Sequence, residues 1–135
     1  MSEAPGRTTI GELLEAARRR LHRLGPDEAR EAQAGGALLI DIRAESRREQ
    51  DGLIPGAHVI ARNVLEWRLD PTSGAPEPAL GHAVAKHVIL FCDYGYQSSL
   101  AAVTLQDLGF ERATDLDGGF QAWRAAGLPV EPQGC

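Results

Sequence analysis

Short apolar runs that alternate with helix-patterned stretches limit the folds open to this chain more than any other feature. Ala37-Leu38-Leu39-Ile40-Asp41, His58-Val59-Ile60, Val88-Ile89-Leu90-Phe91 and the stretch from Arg112 to Leu116 read as strands, with a further short candidate just before Gly25-Pro26. Apolar runs of this length, bounded by turns and separated by helices, predict an α/β fold with a mainly parallel sheet covered on both faces. Ligands of such sheets lie beyond the carboxyl ends of the strands. Cys92 falls at one of those ends, directly after Phe91.

Thr9-Ile10-Gly11-Glu12 matches a capping box, and Leu13, Leu14, Ala17 and Leu21 recur at helical spacing, which predicts a first helix from about residue 10 to about residue 20. Asp27 to Ala34 reads as a second helix stopped by Gly35-Gly36, and a third covers Glu45 to Gln50. Asp51 to Ala57 is a turn-rich link, and the proline-rich stretch from Asp70 to Pro78 is a surface loop. Ser98 to Leu108 is helical with Gly109 as its stop, and Phe120 to Ala126 is the last helix, closed by Gly127 and Pro129.

A chain of 135 residues suffices for one domain with a sizeable core and is too short for two ordinary ones. Residues 1–35 read as N-terminal helices packing on a domain of residues 36–130, with 131–135 as a tail. A formal charge of -5 and the lack of a long basic run speak against nucleic acid as a partner. Arg18-Arg19-Arg20 with His22 and Arg23 is the one basic cluster, and beside Glu12 and Glu15 it reads as a solvated helix face. Two cysteines make no disulfide framework, Met1 to Pro5 lacks the pattern of a signal peptide, and no apolar stretch is long enough for a bilayer, so a cytoplasmic location without membrane contact is expected. His22, His58, His82 and His87 have no ligand spacing with cysteines or carboxylates, and neither metal nor cofactor is expected.

The turn Cys92-Asp93-Tyr94-Gly95-Tyr96-Gln97 joins a buried strand to a helix start at Ser98-Ser99. A short glycine-bearing loop can turn its N–H groups inward, and the helix adds its positive end. A thiol in such an anion cup favours the nucleophilic thiolate.

Three segments bracket this loop: Leu39-Ile40-Asp41-Ile42-Arg43, then Ile54-Pro55-Gly56-Ala57, then Asp117-Gly118-Gly119-Phe120-Gln121-Ala122-Trp123 with Gly127-Leu128-Pro129-Val130. Together they resemble the rhodanese (thiosulfate sulfurtransferase-like) family over roughly residues 36–130. The resemblance implies a three-layer fold with a five-stranded parallel sheet, helices on both faces, and a catalytic cysteine that carries a persulfide. Cys92 matches that nucleophile. The loop from Cys92 to Gln97 matches the family's short loop, whereas related phosphatases of the same fold use one residue more to ring a tetrahedral phosphate.

The implied reaction is a double displacement in which Cys92 takes sulfane sulfur from a small donor such as thiosulfate or a persulfide and passes it to a thiophilic acceptor, cyanide or a thiol, a protein thiol included. The N–H groups of Asp93, Tyr94, Gly95, Tyr96, Gln97 and Ser98 would stabilise the sulfur anion. Many members carry a cation where Gln97 stands. Arg47, six residues after Asp41, matches a position at which some members keep a substrate-contacting arginine and is the first candidate to compensate, with Arg62 and Arg68 behind it. Leu53 replaces the histidine that most members have before Ile54-Pro55-Gly56 and reads as structural variation.

Other residues have more local readings. Asp41 and Arg43 read as a partly buried ion pair tying the first core strand to a neighbouring loop. Trp67 and Trp123 read as core or hinge aromatics, while Tyr94 and Tyr96 read as the pocket rim. Ser98 and Ser99 suit either helix N-caps or hydroxyl donors to the persulfide. Asp93 is expected to face solvent, because a carboxylate facing the thiolate would oppose its ionisation. Cys135 reads as a frayed tail, with a resolving thiol as the alternative. Two other functions share these features: a non-catalytic sulfur carrier or binding module, and a cysteine phosphatase or arsenate reductase, against which the short loop and the absent loop arginine speak.

Overall fold

The computed structural model describes residues 6–133. The readings made for Met1 to Pro5 and for Cys135 therefore lie outside the described residues.

Six α-helices and four strands make up the described residues. α1 (Ile10–Arg19) and α2 (Pro26–Ala34) precede β1 (Leu38–Asp41), α3 (Glu45–Asp51), β2 (His58–Val59) and α4 (Leu65–Leu69). β3 (Val88–Phe91), α5 (Gln97–Asp107), β4 (Thr114–Asp115) and α6 (Gly119–Ala125) complete the order, with 3-10 turns at Arg62–Val64, Pro78–Leu80 and Ala83–Ala85. The capping box at Thr9 is formed in both directions, Glu12 N–H donating to Thr9 Oγ1 at 3.1 Å and Thr9 N–H to Glu12 Oε1 at 2.9 Å.

All strand pairings are parallel, in the order β2-β1-β3-β4. The sheet thus has four strands, and the expected fifth is reduced to one bridge between Leu24 and Leu116. The chain before Gly25 does run beside β4, with Leu24 N–H on Asp115 O at 3.2 Å and Asp117 N–H on Leu24 O at 2.8 Å. It goes no further because Pro26, lacking an N–H, is already the first residue of α2.

Side-chain alternation divides the sheet into two cores. Ile40, Val88 and Leu90 face Leu65, Leu69, Ala101, Ala102 and Leu105, from α4 and α5. Leu39, Ile89 and Phe91 face Ala29, Phe120 and Trp123, from α2 and α6. Every residue of β3 is buried, which suits a central strand with helices on both sides. α1 packs on the outside of α5.

Trp123 is a core residue, its indole N–H donating to Pro129 O at 2.8 Å. Trp67 is not: it is 59% exposed, because Leu65 and Leu69 occupy the buried side of the short α4. Beyond Val130 the chain is also tied down, Leu53 and Glu131 exchanging backbone hydrogen bonds of 2.7 and 2.9 Å.

Candidate active site

β3 ends at Phe91 in the middle of the sheet and presents Cys92, 9% exposed, where α5 begins. Cys92 Sγ accepts the Gly95 N–H at 3.2 Å and lies 3.5 Å from Ser98 Oγ. The amides of Tyr96, Gln97 and Ser98, at the open N-terminal end of α5, have no protein acceptor among the described residues. Gly95 is the one residue of the loop whose N–H bonds the sulfur, and the other amides are left open at the start of α5.

Cys92, Asp93, Tyr94, Tyr96, Gln97 and Arg47 line one open pocket with Ile42, Arg43 and Ala44, a cavity of about 340 Å³ and so of small-molecule size. Tyr94 and Tyr96 are 61% and 63% exposed and form its rim. Arg47 is 52% exposed, its Nε 4.0 Å from Asp93 Oδ2. Asp93 does not face open solvent as expected: its Oδ1 accepts Gln121 Nε2 at 2.8 Å and its side chain is 18% exposed. Arg62 is not among the lining residues; it donates to both carboxylate oxygens of Glu66 at 3.0 Å. Arg68, on α4, is likewise absent from the lining.

Arg43 and Asp41 form a buried bidentate pair, Nη2 to Oδ2 at 2.7 Å and Nε to Oδ1 at 3.0 Å, and Arg43 Nη2 also donates to Gly52 O at 2.7 Å. The guanidinium lies 3.9 Å from the Phe120 ring centroid. This pair ties the end of β1 to the turn after α3, with Arg43 Nε and Nη2 committed there and its buried Nη1 without a partner among the described residues.

Beneath the loop lies a polar cluster that sequence reasoning missed. Asp115, fully buried on β4, accepts Ser98 Oγ at 2.7 Å and Ser99 Oγ at 2.8 Å. Ser98 and Ser99 therefore sit inside α5 and hold Asp115; they are not its N-cap, which is Tyr96. Arg23 closes the cluster with Nε on Asp115 Oδ1 at 2.9 Å and Nη2 on Oδ2 at 3.2 Å. Burial by itself lowers the pKa of Arg23, but the Asp115 bond and the charges of Asp115, Asp117 and Cys92 outweigh it and raise the value. Arg18 and Arg23 are thus turned inward and are not part of a solvated face. The available signal was position: Arg18 falls within the helical stripe Leu14, Ala17, Leu21.

A thiol on the residue directly after a central parallel strand, at the N-terminus of the helix that follows and the one cysteine among the described residues, defines an α/β domain with its nucleophile candidate at a strand-to-helix turn. The model of the Rhodanese-like domain matches residues 25–126, and the chain belongs to that family. It is 28% identical over 103 residues to the thiosulfate sulfurtransferase GlpE of Ectopseudomonas mendocina (strain ymp), covering 76% of this chain and 84% of the relative. A solved structure from Rhodopseudomonas palustris CGA009, described as a protein of unknown function and possible tyrosine phosphatase, superposes with a TM-score of 0.84 at 34% identity, covering 97% of this chain and 99% of that one. The human single-domain sulfurtransferase TSTD1 superposes with a TM-score of 0.62 at 27% identity, covering 76% of this chain and 95% of that one. Among the described residues no helix is long and apolar enough to cross a membrane.

Proposed function

We propose that this protein is a sulfurtransferase in which Cys92 accepts and passes on sulfane sulfur. The observation that carries the reading is the seat of Sγ: bonded by the Gly95 N–H at 3.2 Å, facing a solvent-open pocket, at the end of the central strand. The Cys92 thiolate attacks the outer sulfur of the donor, the donor's sulfur–sulfur bond breaks, and its electron pair leaves with sulfite or with a thiolate. Cys92 then carries a persulfide anion, which the loop amides stabilise. A thiolate or cyanide attacks the outer sulfur, and the Cys92 thiolate is released.

The pocket's charge informs the donor. Gln97 brings hydrogen bonds without charge, Arg43 is held by Asp41, and Arg47 is shared with Asp93. A dianion such as thiosulfate therefore finds weak electrostatic anchoring, and the exposed Tyr94 and Tyr96 favour a persulfide on an organic or protein carrier.

Intact-mass measurement after incubation with thiosulfate or a glutathione-type persulfide tests this. One sulfur atom should be gained on Cys92, removed by cyanide, and absent in Cys92→Ser. No gain from either donor refutes the reading. Because a relative of 34% identity is described as a possible tyrosine phosphatase, hydrolysis of an aryl phosphate is the control. No turnover is expected, since the loop supplies no guanidinium for a dianionic phosphate.

A further inference from the structure

We propose that Arg18 and Arg23 are positioning residues for the cysteine loop, supplying from the N-terminal segment the positive charge that the loop itself does not carry. The inference rests on Cys92 being the sulfur-accepting group. Both guanidinium groups converge on one atom: Arg18 Nη2 lies 2.8 Å and Arg23 Nη2 2.9 Å from Gly95 O. A carbonyl oxygen has two lone pairs, and these two charge-assisted bonds use both. Gly95 is also the residue whose N–H holds Cys92 Sγ. The peptide that follows it is trans, so fixing the Gly95 oxygen toward the arginines turns the Tyr96 N–H the opposite way.

A second route joins Arg23 to the sulfur. Arg23 grips Asp115 with Nε and Nη2, Asp115 holds the Ser98 hydroxyl at 2.7 Å, and Ser98 Oγ is 3.5 Å from Sγ. Arg18 joins the same network through Ser99 Oγ at 3.3 Å and lies 5.5 Å from the ring centroid of the rim residue Tyr96. Two guanidinium groups against one fully buried carboxylate leave an excess of positive charge under the loop. Asp117 does little to cancel it, since it meets Arg23 at 3.1 Å with its own side chain 64% exposed.

Backbone pairing places these groups. Thr114 Oγ1 donates to His22 O at 2.9 Å, and Leu24 bridges to Leu116, so that Arg23 is held alongside Asp115 while Leu24 turns into the opposite core. The family match starts at residue 25, so both arginines come from chain outside it. Neither lines the pocket. Their contribution should therefore fall on the chemical step and not on donor binding, as expected of groups that hold preorganised donors in place.

The test compares the parent with Arg18→Gln and with Arg23→Gln/Asp115→Asn, the latter removing the cation together with its counterion so that no buried charge is left unpaired. Circular dichroism and thermal melting establish that each variant is folded. The expected result is a fall in kcat for sulfur transfer of about tenfold in each, with KM unchanged. A second readout does not depend on sulfur transfer: the ratio of Cys92 alkylation rates by iodoacetate and by iodoacetamide, followed on the Cys92 peptide, should drop severalfold in Arg18→Gln, which cancels the positive excess, and stay near the parent's in the charge-balanced double variant. Sulfur transfer within about twofold of the parent in both variants, or an unchanged ratio in Arg18→Gln, overturns the proposal. If the parent itself takes up no sulfur, the sulfurtransferase reading fails, and the alkylation ratio of Arg18→Gln still decides the arginines: a drop supports their role and an equal ratio refutes it.

Discussion

Replacing Gly119 by alanine should unseat Cys92 from a distance. Gly119 has φ +63°, and a Cβ built there would lie 2.6 Å from Cys92 O, 2.7 Å from Asp93 O and 2.8 Å from Asp93 C, all backbone atoms that cannot swing aside. The approach is this close because α6 begins against the cysteine loop: Phe120 N–H donates to Cys92 O at 2.9 Å and Gln121 N–H to Asp93 O at 3.1 Å. An L-residue in the left-handed region costs roughly 1–2 kcal/mol, and overpacking adds roughly 1–3, so a loss of about 3 kcal/mol is expected. In urea this moves the midpoint down by about 1.5 M.

Gly127→Ala is the matched control, since Gly127 has φ +77° but nothing within 4 Å of a built Cβ. It should lose only about 1 kcal/mol. The functional arm measures sulfur loading by mass spectrometry in denaturant-free buffer, where Gly119→Ala should load about tenfold or more slowly than Gly127→Ala because the residue bearing Sγ is displaced. Equal urea midpoints for the two variants would refute the steric argument. A full loading rate in Gly119→Ala would show that the α6 clamp does not set the position of the sulfur.

Three further outcomes are expected. Gln97→Arg adds a cation to the pocket lining and should lower the KM for thiosulfate roughly fivefold, whereas an unchanged KM would show that anchoring the donor anion is not limiting. Asp41→Ala leaves the buried Arg43 unpaired and should cost about 3–5 kcal/mol, much of it recovered in Asp41→Ala/Arg43→Met; a single variant no less stable than the double would remove the electrostatic explanation. Burial, then repulsion from Arg112 and His22, holds the pKa of His87 below its ordinary 6.5, so the unfolded chain binds the proton more readily. Stability should be highest above 6.5 and decline as pH falls from there, and calorimetry should find a flatter profile in His87→Gln, an identical slope arguing against this group.

Much of the site was readable from local order. Phe91-Cys92 and the loop to Gln97 are contiguous, so one strand end, one turn and one helix start sufficed to point to the thiol and its rim tyrosines, while Arg47 was singled out by the family resemblance and not by pattern. Local signals also misled. Ser98 and Ser99 have cap-forming side chains, yet α5 starts at Gln97 and both hydroxyls turn to Asp115, a partner that a propensity argument cannot see. Trp67 read as a core or hinge aromatic, but a five-residue helix has room to bury only one side, which Leu65 and Leu69 take.

The sequence by itself determined the alternation of strands and helices, the parallel sheet and the thiol at its rim, because each follows from residues that are neighbours along the chain or at a helical or strand period. Only the tertiary structure decided how that rim is charged. Arg18, Arg23, Ser98, Ser99 and Asp115 come from α1, the segment before α2, α5 and β4, and pattern near them in sequence reads as a solvated helix face, a pair of caps and an unremarked strand residue. Pairing of the Leu24 segment beside β4 brings them together, and side chains that would be solvated on an isolated helix become part-buried donors to Gly95 O in the cysteine loop.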